Sequence, residues 1–212
     1  HVLQLHTAVS DGFLMETEPG VKLSLGNIAF KANQGRAMVT QLDIFDYSPV
    51  INIEEDEVEN WGGYFDFTVS GLPLAGQTVK VVIPQMAAMP KIPVFRKMTT
   101  NGWHSYVKDG NNVVASAPGS EGYCPPPGDS SYQSGLLQGH WCLQLTIEDG
   151  GPNDADGQPN NSITISGGTG RFLSDATVSS SGGGGGSWHP VVPFVSLFIL
   201  LLLRNRQYIL RR

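Results

Sequence analysis

From Val21 to Ser166 the apolar residues of this 212-residue chain recur at every second position, in short runs. Tyr64-Phe-Asp-Phe-Thr-Val-Ser70 sets Phe65, Phe67 and Val69 on one side and Asp66, Thr68 and Ser70 on the other. Trp141-Cys-Leu-Gln-Leu-Thr-Ile-Glu148 repeats the pattern, with Trp141, Leu143, Leu145 and Ile147 opposite Cys142, Gln144 and Thr146. A period of two belongs to a strand with one buried face. Residues 21–25, 37–45, 78–83, 94–98, 102–107, 113–117 and 162–166 read the same way, and residues 28–30 continue extended after a Gly26-Asn27 turn. Residues 64–70 and 78–83, joined by Gly71-Leu-Pro-Leu-Ala-Gly76, predict an antiparallel hairpin. Gly167-Gly-Thr-Gly170 predicts a turn. No stretch before residue 188 repeats with a period of 3.6 over ten or more positions. The expected fold is all-β: an antiparallel β-sandwich of the Ig-like or jelly-roll-like kind over residues 1–178. The 26 glycines and 14 prolines agree with many turns and short strands.

The last residues break this pattern. Ser179-Ser-Ser-Gly-Gly-Gly-Gly-Gly-Ser187 is a flexible spacer. Behind it runs Trp188-His-Pro-Val-Val-Pro-Phe-Val-Ser-Leu-Phe-Ile-Leu-Leu-Leu-Leu203, then Arg204, Arg206, Arg211 and Arg212. The expectation is a linker and processing site over 179–187 and a hydrophobic transmembrane sorting helix with a basic tail over 188–212. Val191, Phe194, Leu197, Leu200 and Leu203 would face lipid, and the arginines would stay cytoplasmic. As helix, 191–203 spans about 20 Å, short of a hydrocarbon layer of about 30 Å. It reads as a temporary stop and cleavage signal, with Gly185, Gly186 and Ser187 at the cut, rather than a permanent anchor. The chain begins at His1 without a signal peptide, which an exported protein needs. The expectation is therefore the C-terminal part of a longer precursor.

Charge and cysteine content agree with export. With the four tail arginines set aside, nine basic residues stand against nineteen acidic ones, a balance of −10. Such a surface repels nucleic acid. Cys124 and Cys142 flank a Pro- and Gly-rich stretch and suit one disulfide in an oxidising compartment, with two buried thiols as the alternative. Closing a loop of that size stabilises by roughly 3 kcal/mol in the chain-entropy model.

Chemistry has few candidates. Glu148-Asp-Gly-Gly-Pro-Asn-Asp-Ala-Asp-Gly-Gln-Pro-Asn-Asn161 concentrates side-chain oxygens, with Asp154 and Asp156 alternating ahead of Gly157. Asp149, Asn153, Asp154 and Asp156 are the candidate Ca²⁺ ligands, since calcium takes six to eight oxygens from a sharply turning chain. Pro152 and Ile163 stand where an EF-hand has Asp and Glu, so the loop is not one. A polar turn between two strands uses the same residue types. The acidic run Glu54-Glu-Asp-Glu57 with Glu59 reads as a solvated loop. Trp61, Trp103 and Trp141 line either a carbohydrate platform or the core, and the strand context favours the core. Histidines 1, 6, 104, 140 and 189 have no metal-ligand spacing. No nucleophile motif, carboxylate pair or phosphate loop is singled out, so no catalytic residues are expected.

The tail, on Gly182 to Gly186, Ser187, the apolar span to Leu203 and the four arginines, resembles the GlyGly-CTERM sorting signal of Gram-negative bacteria. That resemblance implies export, cleavage by a rhombosortase-like intramembrane protease, and onward delivery by secretion machinery. The passage through the inner membrane is transient and ends at the cell surface or outside the cell. Tyr64-Phe-Asp-Phe-Thr-Val-Ser-Gly-Leu-Pro73, Val79-Lys-Val-Val-Ile-Pro84, Val94-Phe-Arg-Lys97, Gly102-Trp103 and the run from Glu148 to Gly157 resemble the choice-of-anchor U family over residues 20–170. The resemblance implies placement and presentation and supplies no catalytic residues. The expected function is a non-enzymatic C-terminal module of an exported cell-surface protein, its surface ligand unspecified. The alternative is a Ca²⁺-stabilised, carbohydrate-directed binding module appended to an upstream secreted hydrolase.

Overall fold

The computed structural model describes residues 2–4, 14–32, 35–47 and 57–173. The strands are β1 (Val2–Gln4), β2 (Leu14–Thr17), β3 (Lys22–Leu25), β4 (Met38–Val39), β5 (Val58–Ser70), β6 (Thr78–Pro84), β7 (Pro93–Thr99), β8 (Gly102–Ser105), β9 (Val113–Ala117), β10 (Gln133–Ser134), β11 (Cys142–Glu148) and β12 (Ser162–Phe172). Two short helices, α1 (Asn27–Ala32) and α2 (Gln41–Tyr47), lie between β3 and β5 in sequence. One sheet runs β1-β2-β6-β11-β9-β10 and the other β3-β5-β12-β7-β8, with β4 added against β5. Every pairing is antiparallel.

The two sheets bury one core between them, as a β-sandwich. Met15, Val81, Ile83, Leu143, Leu145 and Ile147 come from the first sheet, and Phe65, Phe67, Val69, Phe95, Ile163 and Ile165 from the second. Apart from Met15, these lie in the alternating runs that the sequence marks. Each fully buried large side chain contributes roughly 1.5–3 kcal/mol relative to exposure.

The predicted hairpin does not form. β5 pairs with β3, β4 and β12, whereas β6 pairs with β2 and β11. Both strands turn an apolar face to the same core from opposite sheets, so the connection after Ser70 crosses the sandwich instead of folding back. The predicted turn at 167–170 is also strand, because β12 continues opposite β5 and β7 as far as Phe172. Its glycines meet cross-strand neighbours: a Cβ on Gly168 would come within 2.3 Å of the Gly63 carbonyl.

Residues 28–30 and most of 37–45 are helix, not strand. Thr40 caps α2: its N–H donates to Asp43 Oδ2 at 2.8 Å, and its Oγ1 accepts from the Asp43 N–H at 3.1 Å. This reciprocal pair is a capping box, which commits the chain to a helical turn. Ile28, Ala29, Val39, Ile44 and Met98 form a second, smaller core on the outer face of the second sheet, with Tyr64 and Trp103 packed against it. Helices of 6 and 7 residues are too short to display a ten-residue period.

Cys124 and Cys142 are joined as a disulfide, Cα–Cα 5.5 Å. It ties the loop before β10 across β11. There Gly128 N–H donates to Gln144 Oε1 at 2.7 Å, and Cys142 and Gln144 are buried under that cover. β11 is therefore covered on both faces, although its sequence alternates like a half-exposed strand.

Candidate functional site

The loop from β11 to β12 gathers the residues nominated for calcium, and the structure shows where their oxygens go. Asp149 is 2% exposed. Its Oδ2 accepts the Gly76 and Asn161 N–H groups, both at 2.9 Å, and its Oδ1 accepts Asn160 N–H at 3.1 Å. Burial pushes this carboxyl up, but the peptide N–H groups of Gly76, Asn161, Asn160 and Ser162 outweigh it and hold the group below its ordinary value. Asp154 accepts Gly150 N–H on Oδ2 and Thr164 N–H on Oδ1, both at 3.0 Å. Here burial wins and the carboxyl is raised, with the charges of Asp156 and Asp149 adding to the effect. Gly150 has φ 73°, and a Cβ there would meet the Pro159 nitrogen at 2.5 Å, so the turn admits only glycine.

Asn153 stitches this loop to its neighbour. Its Oδ1 accepts Val107 N–H at 2.9 Å, while its Nδ2 donates to Val107 O at 2.8 Å and to Asn112 Oδ1 at 3.0 Å. Asp156 stands apart on the exposed tip, accepting Gln158 N–H and Asn160 Nδ2. Lys97, buried on β7, donates its ammonium to the Pro152 carbonyl. Burial lowers its pKa from the ordinary value, and no ion pair to it is formed among the described residues.

Asp149, Asn153 and Asp154 are therefore brought into one loop, but each serves the chain itself. Their oxygens face N–H donors, which present partial positive charge where a cation shell needs free lone pairs. Among the described residues no group of three or more His, Cys, Asp or Glu side chains is placed to hold a metal ion.

Other features offer different chemistry. A groove of ≈ 440 Å³ opens beside β7 and β9, lined by Phe95, Tyr106, Val114 and Leu136 with Ser105 and Lys108. The Phe95 and Tyr106 rings meet edge to face at 5.8 Å. Tyr106 Oη donates to Thr146 O at 2.6 Å, so its hydroxyl is occupied, and burial raises its pKa. The tryptophans have separate partners. Trp61 Nε1 donates to Ala88 O at 2.7 Å beneath the Arg171 guanidinium, and Trp103 stacks on Tyr64 at 5.2 Å. The Trp141 carbonyl accepts Gln85 N–H at 2.8 Å. Sequence spacing had no means of finding one pair: His140 Nδ1 lies 2.9 Å from Ser116 Oγ. Ser116 is fully buried and accepts Leu137 N–H, so the pair presents no nucleophile to solvent. Glu59 of the acidic run binds Arg171 at 2.8 Å.

Glu54 to Asp56, the processing residues Gly185, Gly186 and Ser187, the apolar span with Val191, Phe194, Leu197, Leu200 and Leu203, and Arg204, Arg206, Arg211 and Arg212 lie outside the described residues. Among the described residues no helix is long and apolar enough to cross a membrane. No family model, curated protein or solved structure matches the chain.

Proposed function

We propose that this chain is an exported, non-enzymatic β-sandwich module, presented outside a membrane and processed or anchored through its Gly/Ser-apolar-Arg tail. The observation that carries the reading is the Cys124–Cys142 disulfide clasping the loop before β10. Such bonds persist in oxidising compartments, the destination the tail encodes. Buried carboxylates spent on peptide N–H groups, and a buried serine beside His140, suit a presented scaffold better than a reaction centre. In this reading the body belongs with choice-of-anchor U domains and the tail with GlyGly-CTERM signals, cut by a rhombosortase-like protease in a Gram-negative envelope. We assign the sandwich to the Ig-like or jelly-roll-like kind, since its chain crosses several times between two antiparallel sheets. The test is the intact mass of the protein recovered from the producing cell's surface or medium. A C-terminus near Gly186 supports the reading; residues 188–212 retained on the mature protein exclude cleavage.

A second reading, a binding module appended to a secreted hydrolase, is favoured by the groove of ≈ 440 Å³, a size that takes small ligands. In it a carbohydrate ligand sits beside the exposed Ser105 and Lys108, over the buried Phe95 and Tyr106 rings. Calcium at the β11–β12 loop would have to displace peptide donors from Asp149 and Asp154. Titration with simple sugars, followed by tyrosine fluorescence, separates the two readings.

A further inference from the structure

Four of the twelve large apolar side chains that stand exposed among the described residues belong to α1 and α2: Phe30 at 72%, Leu42 at 67%, Phe45 at 48% and Tyr47 at 37%. Each helix already spends one stripe on the small outer core, through Ile28, Ala29 and Ile44. What points away is therefore a second apolar stripe, not a failed core. Leu42 and Phe45 are three positions apart and share a helix face. The layer is also firmly seated. Asp66 of β5 accepts Ala29 N–H at 2.8 Å from beneath α1, and a Cβ on Gly26 would sit 2.3 Å from that carboxylate. Two phenylalanines, a leucine and a tyrosine stand exposed on these helices, with Lys31 in the last turn of α1 and exposed Asp46 between Phe45 and Tyr47, and apolar side chains edged by polar groups suit a surface that enters the headgroup boundary of a bilayer.

We propose that the α1–α2 face docks on the lipid surface of the membrane holding the tail. This rests on the reading of residues 188–212 as a membrane-inserted signal. Fourteen residues separate Leu173 from Trp188, and a fully extended chain reaches at most about 3.6 Å per residue, so the sandwich stays within roughly 50 Å of the bilayer. A tether of that length gives an effective concentration in the millimolar range, enough to hold a face of weak intrinsic affinity. The acidic balance of −10 in the body disfavours anionic headgroups, so the surface it meets is zwitterionic lipid. Docking would hold the linker close to the membrane plane, where an intramembrane protease must reach it.

The disulfide leaves no free thiol, so one introduced cysteine takes one label. Full-length Phe45→Cys and, separately, Phe30→Cys carry an environment-sensitive fluorophore in phosphatidylcholine vesicles. Leu74→Cys, at an exposed position between β5 and β6, is the reference. The expected result is a blue shift, a several-fold intensity gain and quenching by bromolipid at 45 and 30, with the label at 74 unchanged. Chains that float with the vesicles while labels at 45 and 30 stay aqueous overturn the docking and leave the tail reading standing. Chains that do not float overturn both. A blue shift that grows with protein concentration in the absence of lipid assigns the face to a second copy and also overturns the proposal.

Discussion

Two buried aspartates of this sandwich meet opposite fates. Asp149, at the end of β11, collects peptide N–H donors from Gly76, Asn160, Asn161 and Ser162 and is held ionised. Asp66, on the outer face of β5, receives the Ala29 and Ile28 N–H groups and the Ser166 hydroxyl. Burial nevertheless raises the Asp66 carboxyl above its ordinary value. Both are nearly fully shielded side chains capping the chain's own backbone. The difference lies in how many peptide dipoles face the charge against how much water is removed from it. Burial alone does not tell whether a carboxyl's pKa is held below its ordinary value or pushed above it.

The most severe way to break the comparison is Asp149→Ala. It leaves the part-buried N–H groups of Gly76, Asn160 and Asn161 without their acceptor, and an orphaned donor costs about 1–3 kcal/mol. A loss on the order of 3–5 kcal/mol in urea unfolding is expected, since water enters to satisfy part of the cage. Gly26→Ala attacks the other pole. Its Cβ would overlap the Asp66 carboxylate at 2.3 Å, so α1 must lift, at about 1–3 kcal/mol by the same measurement. A loss below a few tenths would mean that α1 is not seated on Asp66.

The two amide substitutions sharpen the contrast through pH. Asp149 has a depressed pKa, so its stabilisation is present above the ordinary value of 3.8 and is lost as pH falls through the folded value. Asp149→Asn should therefore be costly at neutral pH and nearly silent in strong acid. Asp66 has a raised pKa, so its contribution is greatest below 3.8 and declines as pH rises through the folded value. Asp66→Asn should be better tolerated at pH 7 than at pH 3, with a neutral-pH cost of about 1 kcal/mol or less. Unfolding free energy measured across pH for both variants decides; parallel profiles would refute the opposite shifts. The smallest effect expected is that of calcium. A millimolar site would raise Tm by about 3 °C at ten millimolar Ca²⁺. With Asp149 and Asp154 facing N–H groups, no rise is expected in thermal melts.

Much of the sandwich was legible because its signal is local. Phe65, Phe67 and Val69, or Leu143, Leu145 and Ile147, declare their buried side through a two-residue period that holds in any β context. Cys124 and Cys142 declared their pairing through spacing and composition. Sheet membership was not legible. β5 and β6 look like hairpin partners until both apolar faces must fill one core from opposite sheets. Residues 37–45 alternate well enough for a strand, yet Thr40 and Asp43 close a capping box and the remainder becomes α2. The role of the nominated calcium residues was not legible. Asp149, Asn153, Asp154 and Asp156 share the β11–β12 loop, but their side chains take separate partners: Asn160 N–H for Asp149, Asn112 for Asn153, Thr164 N–H for Asp154 and Gln158 N–H for Asp156. Whether their oxygens face a cation or a peptide depends on donors from Gly76 and Val107, which are distant in sequence.

By itself the sequence determined the β character of the body, its acidic charge balance and the disulfide pair, because alternation, charge and composition act over a few residues and need no partner. Only the tertiary structure decided which strands share a sheet, that Asp66 caps a helix 37 residues earlier, and that the aspartates of the β11–β12 loop serve backbone N–H groups. Those outcomes turn on which dipoles and which water surround a side chain once remote segments meet, and no local pattern carries that information.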